Sequence, residues 1–309
     1  VKPTIIYNPN EFNNINCSYL WSLWREQFDL VPQVEYVSGY DKKYTLIASS
    51  FLHNNEWYKS WTGRGYRWLQ DHLWDSGVNE LSEASDSTLV LRARDWVYIT
   101  QSLWYQEFGY DQIEYAPSYE KFFLMLLRIS KPHRDNLVIA ADQFLNDSLY
   151  SYVDHGVYLD NDFDRTSPLY ANLINPDWYS KTCFSLTAET KVDTDLFISE
   201  KSFKPLAMFH PTIIYSTPNT LSYLHTLGFE TFDHIIDESY DNEPDEYVRL
   251  GKIVVEVGKL YLMYKQGMLF RDAITQQKLM HNHNRFYDFA HVKQLFKEQI
   301  ADQVMEYIG

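Results

Sequence analysis

Cysteine is nearly absent from this chain: Cys17 and Cys183 are the two among 309 residues. Two thiols at that spacing make neither a disulfide framework nor a metal-ligand pattern, so a reducing, cytoplasmic setting is expected. No apolar run approaches the length of a membrane span. The opening VKPTIIYNPNEF lacks a charged stretch followed by an apolar one, so a soluble, unexported protein is expected. Positive charge is scarce as well. Lys and Arg number 27 against 42 Asp and Glu, for a formal net charge of -15. Such a molecule repels nucleic acid and anionic membranes unless a local basic groove overrides its mean field. No Gly-x-x-x-x-Gly-Lys element, nucleophile elbow or His-Glu-x-x-His occurs, which leaves phosphate-loop, serine-hydrolase and zincin chemistry without support.

What the chain does have is apolar material, 45% hydrophobic and 17% aromatic. That is enough for sizeable cores, and the length exceeds what one core usually serves, so two domains are expected. PTIIYNP (3–9) and KYTLIASSF (43–51) read as strands around a helix carrying Leu20, Trp21, Leu23, Trp24 and Phe28. YRWLQDHLWDSG reads as a helix closed by Gly77, and STLVLRARDWVYITQSLWYQEFGYD as a strand passing into a helix closed by Gly109. The dense run Phe122, Phe123, Met125, Leu126 and Leu127 must be core, and KPHRDNLVIAADQFLNDSLY predicts a helix opening near Pro132. CFSLTAET and PTIIYST are strand-like, whereas TLSYLHTLGF and EYVRLGKIVVEVGKLYLMYKQG are helical. The last stretch puts Phe289, Val292, Leu295, Phe296, Ile300 and Val304 on one helical face. The expectation is an α/β chain with an N-terminal domain over 1–125, a second over 126–280 and a terminal helix over 281–309 packing back.

The stretch ISEKSFKPLAMFHPTIIYSTP places Glu200, Lys201 and Lys204 at the start of a short helix that runs into a strand. Free N–H groups and the helix dipole favour an anion there, and two ammonium groups would complete a diphosphate clamp. A carboxylate beside a phosphate site commonly accepts from ribose hydroxyls. The plainer alternative is a capping glutamate and two solvated lysines.

FISEKSFKPLAMFHPTIIYSTPNTLSYLHTLGFETFDHIIDESYD, with KPHRDNLVIAADQFLNDSLYSY and WYSKTCFSLTAET upstream, resembles the nucleotide-binding half of a glycosyltransferase group of bacteriophages and marine bacteria. That group is distantly similar to the family 10 fucosyltransferases. There a Tyr-x-Thr-Glu-Lys motif introduces the helix beneath the donor nucleotide, glutamate at the ribose and lysine at the phosphates. The resemblance carries those roles to Glu200 and Lys201, sets Arg134 of His133-Arg134 near the diphosphate and gives Glu189 a pocket-organising place. Pro205 stands where those enzymes carry Asn, so neither fucose nor a guanine nucleotide is implied. The match covers roughly 131–241. It implies two Rossmann-like domains of the GT-B type, with the donor in the C-terminal half, and a sugar passed from a nucleoside diphosphate to a hydroxyl acceptor. The transfer is expected to invert configuration and to need no metal or other cofactor.

The base that takes the acceptor proton is expected from the N-terminal half, where RGYRWLQDHLWDSG offers Asp71, or the neighbouring His72 or Asp75. The bland reading of Asp71 is a solvated helix carboxylate. Lys59, Arg64 and Arg67 interleave with Trp61, Tyr66 and Trp68, a pattern that suits a nucleic-acid acceptor, a sugar ring or plain core aromatics with a charged rim. The acceptor is therefore open between a glycan and hydroxymethylated pyrimidine in phage DNA. A non-catalytic nucleotide- or carbohydrate-binding protein on the same scaffold is the reading from another class. Asp160, Asp162 and Asp164 match an Asp-x-Asp metal element or an acidic surface loop, with the loop favoured. His281 and His283, two apart, do not share a helix face.

Overall fold

A computed structural model describes residues 4–7, 33–36, 46–49, 67–70, 88–90, 95–159, 173–193 and 196–308. The chain divides into two compact units, one of Val1–Thr100, Thr166–Leu169 and Phe289–Gly309 and one of Gln101–Arg165 and Tyr170–Asp288. The first holds a sheet of β1 (Thr4–Tyr7), β2 (Gln33–Tyr36), β3 (Leu46–Ser49), β4 (Arg67–Gln70) and β5 (Thr88–Val90) in the order β2-β1-β3-β4-β5. Every neighbouring pair in it is parallel. Arg67 to Gln70 were expected to open a helix. Instead they form β4, paired with β3 on one side and β5 on the other. Ladder bonds from two neighbours outweigh a local helical pattern over four residues.

Helix α1 (Trp96–Glu107) carries the chain out of the first unit, whose C-terminal stretch is helical but not α-helical throughout. It consists of α8 (Phe289–Phe296), a π-helical turn over Lys297–Ala301, and α9 (Asp302–Ile308). Gln299 in that turn accepts from the Asp95 backbone N–H at 2.9 Å and donates to the Asp95 carboxylate at 2.6 Å, joining α8–α9 to the start of α1.

The second unit is built on β6 (Lys121–Leu127), β7 (Leu149–Tyr152), β8 (Thr182–Ala188) and β9 (Thr212–Tyr215), in the order β7-β6-β8-β9. All its pairs are parallel too. β6 and β8 are covered on both faces, which is why β6 reads as an apolar run rather than an alternating one, while β8 buries Thr182, Ser185 and Thr187 among its apolar residues. β6 also passes through the boundary expected between 125 and 126. The connecting helices are α2 (Pro132–Ala141), α3 (Pro176–Lys181), α4 (Glu200–Ala207), α5 (Thr220–Thr226), α6 (Glu246–Lys265) and α7 (Ala273–Phe286). The boundary expected at 280/281 lies inside α7. α6 starts at Asp245, whose carboxylate caps the N–H groups of Tyr247 and Val248, and it buries Leu250, Ile253, Val257 and Leu260.

The loop from α4 to β9 carries a buried histidine. His210 Nδ1 lies 2.8 Å from Ser185 Oγ and Nε2 lies 3.0 Å from the Thr182 carbonyl, and burial lowers its pKa to about 4. An unfolded imidazole takes a proton below about 6.5. The folded one resists until about 4, so its contribution is present above 6.5 and is lost as the pH falls through that window. The loss is about 3 kcal/mol. His210→Gln is therefore expected to flatten the acid dependence of the thermal midpoint between pH 6.5 and 4.5 relative to the wild type. Parallel pH profiles would exclude His210 as the source.

Candidate functional site

In the second sheet the chain leaves β6 toward β7 on one side and then returns to β8 on the other. Consecutive crossovers therefore diverge between the carboxyl ends of β6 and β8. Open α/β sheets hold ligands in the crevice that this reversal creates. α2 begins five residues beyond β6 and α4 begins with Glu200 after β8, so two helix N-terminal ends belong to these crossovers. Pro132 at the first position of α2 loses no hydrogen bond there, and Lys131 before it is extended (φ -148°, ψ 149°), as the residue preceding a proline must be.

A cavity of about 280 Å³ occupies this end of the unit. Its apolar wall includes Leu124, Leu126, Leu173, Tyr158 and Trp178. Among the described residues its charged wall is Arg128, Lys131, Arg134, Lys201 and Lys204 against one carboxylate, Glu200. Among the described lining residues cations outnumber acids, the reverse of the balance of the whole chain.

Glu189 builds one side of this site from behind. It is fully buried, and its Oε1 accepts from the Ser199 N–H at 2.8 Å and from Ser202 Oγ at 2.7 Å. Its Oε2 accepts from Ser199 Oγ at 2.5 Å and from the Thr190 N–H at 3.3 Å. The carboxylate thus fixes the N-cap and first turn of α4 to the end of β8. It is not among the cavity-lining residues, so its geometry is that of a positioning group and not of a donor contact. Arg249, buried on α6, extends the same brace by donating Nη2 to the Val192 carbonyl, two residues beyond Thr190.

The cations converge from both crossovers. Lys131 Nζ donates to the Thr190 carbonyl at 3.0 Å. Arg134 is 3% exposed and donates Nη1 to the Ile129 carbonyl at 2.9 Å and Nη2 to the Glu189 carbonyl at 3.2 Å, while its buried Nε has no partner among the described residues. Lys201 Nζ reaches Ser199 Oγ and Glu200 Oε1, each at 2.9 Å, and stands 4.0 Å from Glu189. Lys204 Nζ donates to the Leu173 carbonyl at 3.2 Å.

Their protonation reports the crowding. Burial, and then the charges of Arg134, Lys191 and Lys201, push Lys131 below the usual lysine range. Burial pushes Lys204 down to about 8, with Glu200 opposing. Burial would also lower Lys201, but Glu200 and Glu189 hold it above its ordinary value. Burial would raise Glu200, yet Lys201 and Lys204 keep it below the ordinary carboxylate range. An anion entering the cavity would relieve the strain on Lys131 and Lys204.

Arg134, Glu200, Lys201 and Lys204, expected from the sequence, are therefore brought together, whereas Glu189 stands behind them. Sequence reasoning missed Arg128, Lys131 and Thr190. A signal for Lys131 was present: together with Arg134 it occupies the N-terminal end of a helix, where the dipole disfavours cations unless an anion sits nearby. Of the expected acceptor residues, Arg67 and Trp68 lie in β4, and Lys59, Arg64, Asp71 and His72 lie outside the described residues. So do Asp75, Asp160, Asp162 and Asp164. Among the described residues no group of His, Cys, Asp and Glu could hold a metal ion, and no helix is long and apolar enough to cross a membrane. His281 and His283 each bond a backbone carbonyl, of Gly228 and of Ala207 respectively.

No family model and no curated protein matches the chain. Among solved structures it is similar to the DNA-modifying enzyme β-glucosyltransferase, determined in the presence and absence of the substrate uridine diphosphoglucose. The TM-score is 0.50 at 10% identity, over 100% of this chain and 99% of that one. At that identity the likeness is one of fold alone, and this chain holds two parallel sheets.

Proposed function

We propose that the protein is a glycosyltransferase that takes a sugar from a nucleoside-diphosphate sugar bound in the switch-point cavity and passes it to a hydroxyl acceptor held by the N-terminal half. The observation that carries this reading is the cavity at the carboxyl ends of β6 and β8, whose described lining holds five cations and one carboxylate. Breaking a glycosidic phosphate bond leaves charge on the departing diphosphate, and fixed cations aimed at that charge lower the barrier. Arg134, Lys131, Lys201 and Lys204 would supply them in place of a metal ion, and Glu200 would accept from the ribose. The fucosyltransferase likeness lends the roles of Glu200 and Lys201 only, not a fucose donor.

Attack on the face opposite the leaving diphosphate would invert the anomeric centre, with Asp71 as the base. Lys59, Arg64, Arg67, Trp68 and His72 would hold the acceptor. The fold likeness to a DNA-modifying enzyme favours hydroxymethylated pyrimidine in DNA over a free glycan as that acceptor. A cytoplasmic location goes with this reading.

The test is to incubate the full chain with a panel of nucleoside-diphosphate sugars, duplex DNA containing 5-hydroxymethylcytosine and a metal chelator, following nucleoside diphosphate release and sugar on the DNA. One donor is expected to raise the thermal midpoint by the equivalent of about 2.7 kcal/mol at a hundredfold excess over Kd and to support transfer with the chelator present. Stabilisation without transfer or donor hydrolysis would favour a non-catalytic binding protein. No stabilisation by any donor would overturn the reading. Donor affinity is also expected to hold below pH 8 and to weaken above it, by at most about tenfold per pH unit. The reason is that free Lys204 loses its proton near 8 whereas a bound diphosphate retains it.

A further inference from the structure

Three of the cavity's cations meet on one neutral residue. Thr190 accepts Lys131 Nζ on its carbonyl at 3.0 Å, and Arg134 Nη2 and Lys201 Nζ on its hydroxyl oxygen at 3.4 and 3.5 Å. Its own N–H is spent on Glu189 Oε2. A threonine hydroxyl has two acceptor positions and one donor. Both acceptor positions of Thr190 face cations, and among the described residues its O–H has no acceptor assigned to it. Thr190 also lines the cavity.

Resting on the donor-binding reading above, we propose that Thr190 is a ligand-binding residue of this site. It spaces Lys131, Arg134 and Lys201 around the diphosphate position and donates its own hydroxyl proton to a phosphoryl oxygen there. Two neighbouring positive charges polarise that O–H, so it is a better donor than an isolated hydroxyl. The two contacts on Oγ1 are longer than ordinary hydrogen bonds, so an arriving phosphate can draw the guanidinium and the ammonium toward itself at little cost. The carbonyl contact, which any residue at 190 would offer, holds Lys131 whatever the side chain.

The measurement is calorimetric titration of the full chain with inorganic pyrophosphate, with uridine diphosphate and with uridine. Thr190→Val keeps the branched shape and removes the hydroxyl. It is expected to weaken both pyrophosphate and uridine diphosphate by about tenfold or more, as loss of a hydrogen bond to a charged group does, and to leave uridine affinity unchanged. Thr190→Ser is expected to stay within about threefold of the wild type. A valine variant that binds pyrophosphate as tightly as the wild type overturns the assignment, and so does a serine variant as weak as the valine one. If the wild type binds neither phosphate ligand, the donor reading itself fails and takes this inference with it. Wild-type binding with an unaffected valine variant sinks only the role of Thr190. Should Thr190→Val not fold, Thr190→Ala against Thr190→Ser makes the same comparison.

Discussion

Replacing Lys201 with alanine is expected to lower sugar transfer by two to three orders of magnitude, about 2.7–4 kcal/mol of transition-state stabilisation, with little change in the fold. Of the cavity lysines Lys131, Lys201 and Lys204, Lys201 is the one held above its ordinary value, because Glu200 and Glu189 outweigh the cost of its burial. It also shields the incoming diphosphate from Glu200, whose Oε1 it holds at 2.9 Å. Without it the diphosphate loses one countercharge and meets a Glu200 carboxylate that has lost its nearest cation. The fold survives because the side chain is a quarter exposed and the N-cap of α4 depends on Ser199 and Glu189, not on the ammonium. Steady-state kinetics beside circular dichroism and thermal unfolding would check both halves. Transfer within about threefold of the wild type would remove Lys201 from the diphosphate site, since an exposed bystander lysine has effects of about that size.

Glu189→Ala is expected to do the opposite: destabilise the unit by about 3–5 kcal/mol and lose nucleotide binding with it. The carboxylate is fully buried and receives the Ser199 N–H, both serine hydroxyls and the Thr190 N–H. The hydroxyls can rotate to other acceptors, but the Ser199 N–H is fixed by the start of α4 and would be left buried without a partner. Denaturant unfolding reads the stability, and nucleotide titration at low temperature reads the site. A variant as stable as the wild type would show that the Ser199 turn is held by other contacts. The two substitutions separate the roles, since Lys201 acts on the ligand and Glu189 acts through α4.

Several parts of this arrangement were legible before any tertiary contact was considered. The unbroken apolar run from Phe122 to Leu127 could only be a strand covered on both faces or a buried helix, and it is β6. Pro132 announced the start of α2, and Glu200 with Lys201 that of α4, because helix starts are local matters of backbone φ and N–H capping, although the cap itself is the Ser199 side chain and not the glutamate. The same reasoning failed at YRWLQ. Four residues there carry too little periodicity to choose between helix and strand, and the choice went to pairing with β3 and β5. It failed again in the C-terminal stretch, where Val292, Phe296 and Ile300 are buried as expected but Phe289 is exposed, and where the π-helical turn at Lys297–Ala301 went unread.

What the amino-acid sequence determined by itself is the inventory and its local placement: strands from apolar runs, helix starts from caps and prolines, and cations set where a helix dipole disfavours them. Those features act over one to four residues, the range within which a chain reads its own neighbours. What only the tertiary structure decided is which cations stand together and what holds them. Lys131 and Lys201 are seventy positions apart and follow different strands, yet both reach Thr190. Glu189 became a buried brace rather than a ligand contact because the β8 to α4 crossover folds Ser199 and Ser202 onto it. No periodicity records either outcome. Both come from the order β7-β6-β8-β9, which makes consecutive crossovers part company and opens the charged cavity between the ends of β6 and β8.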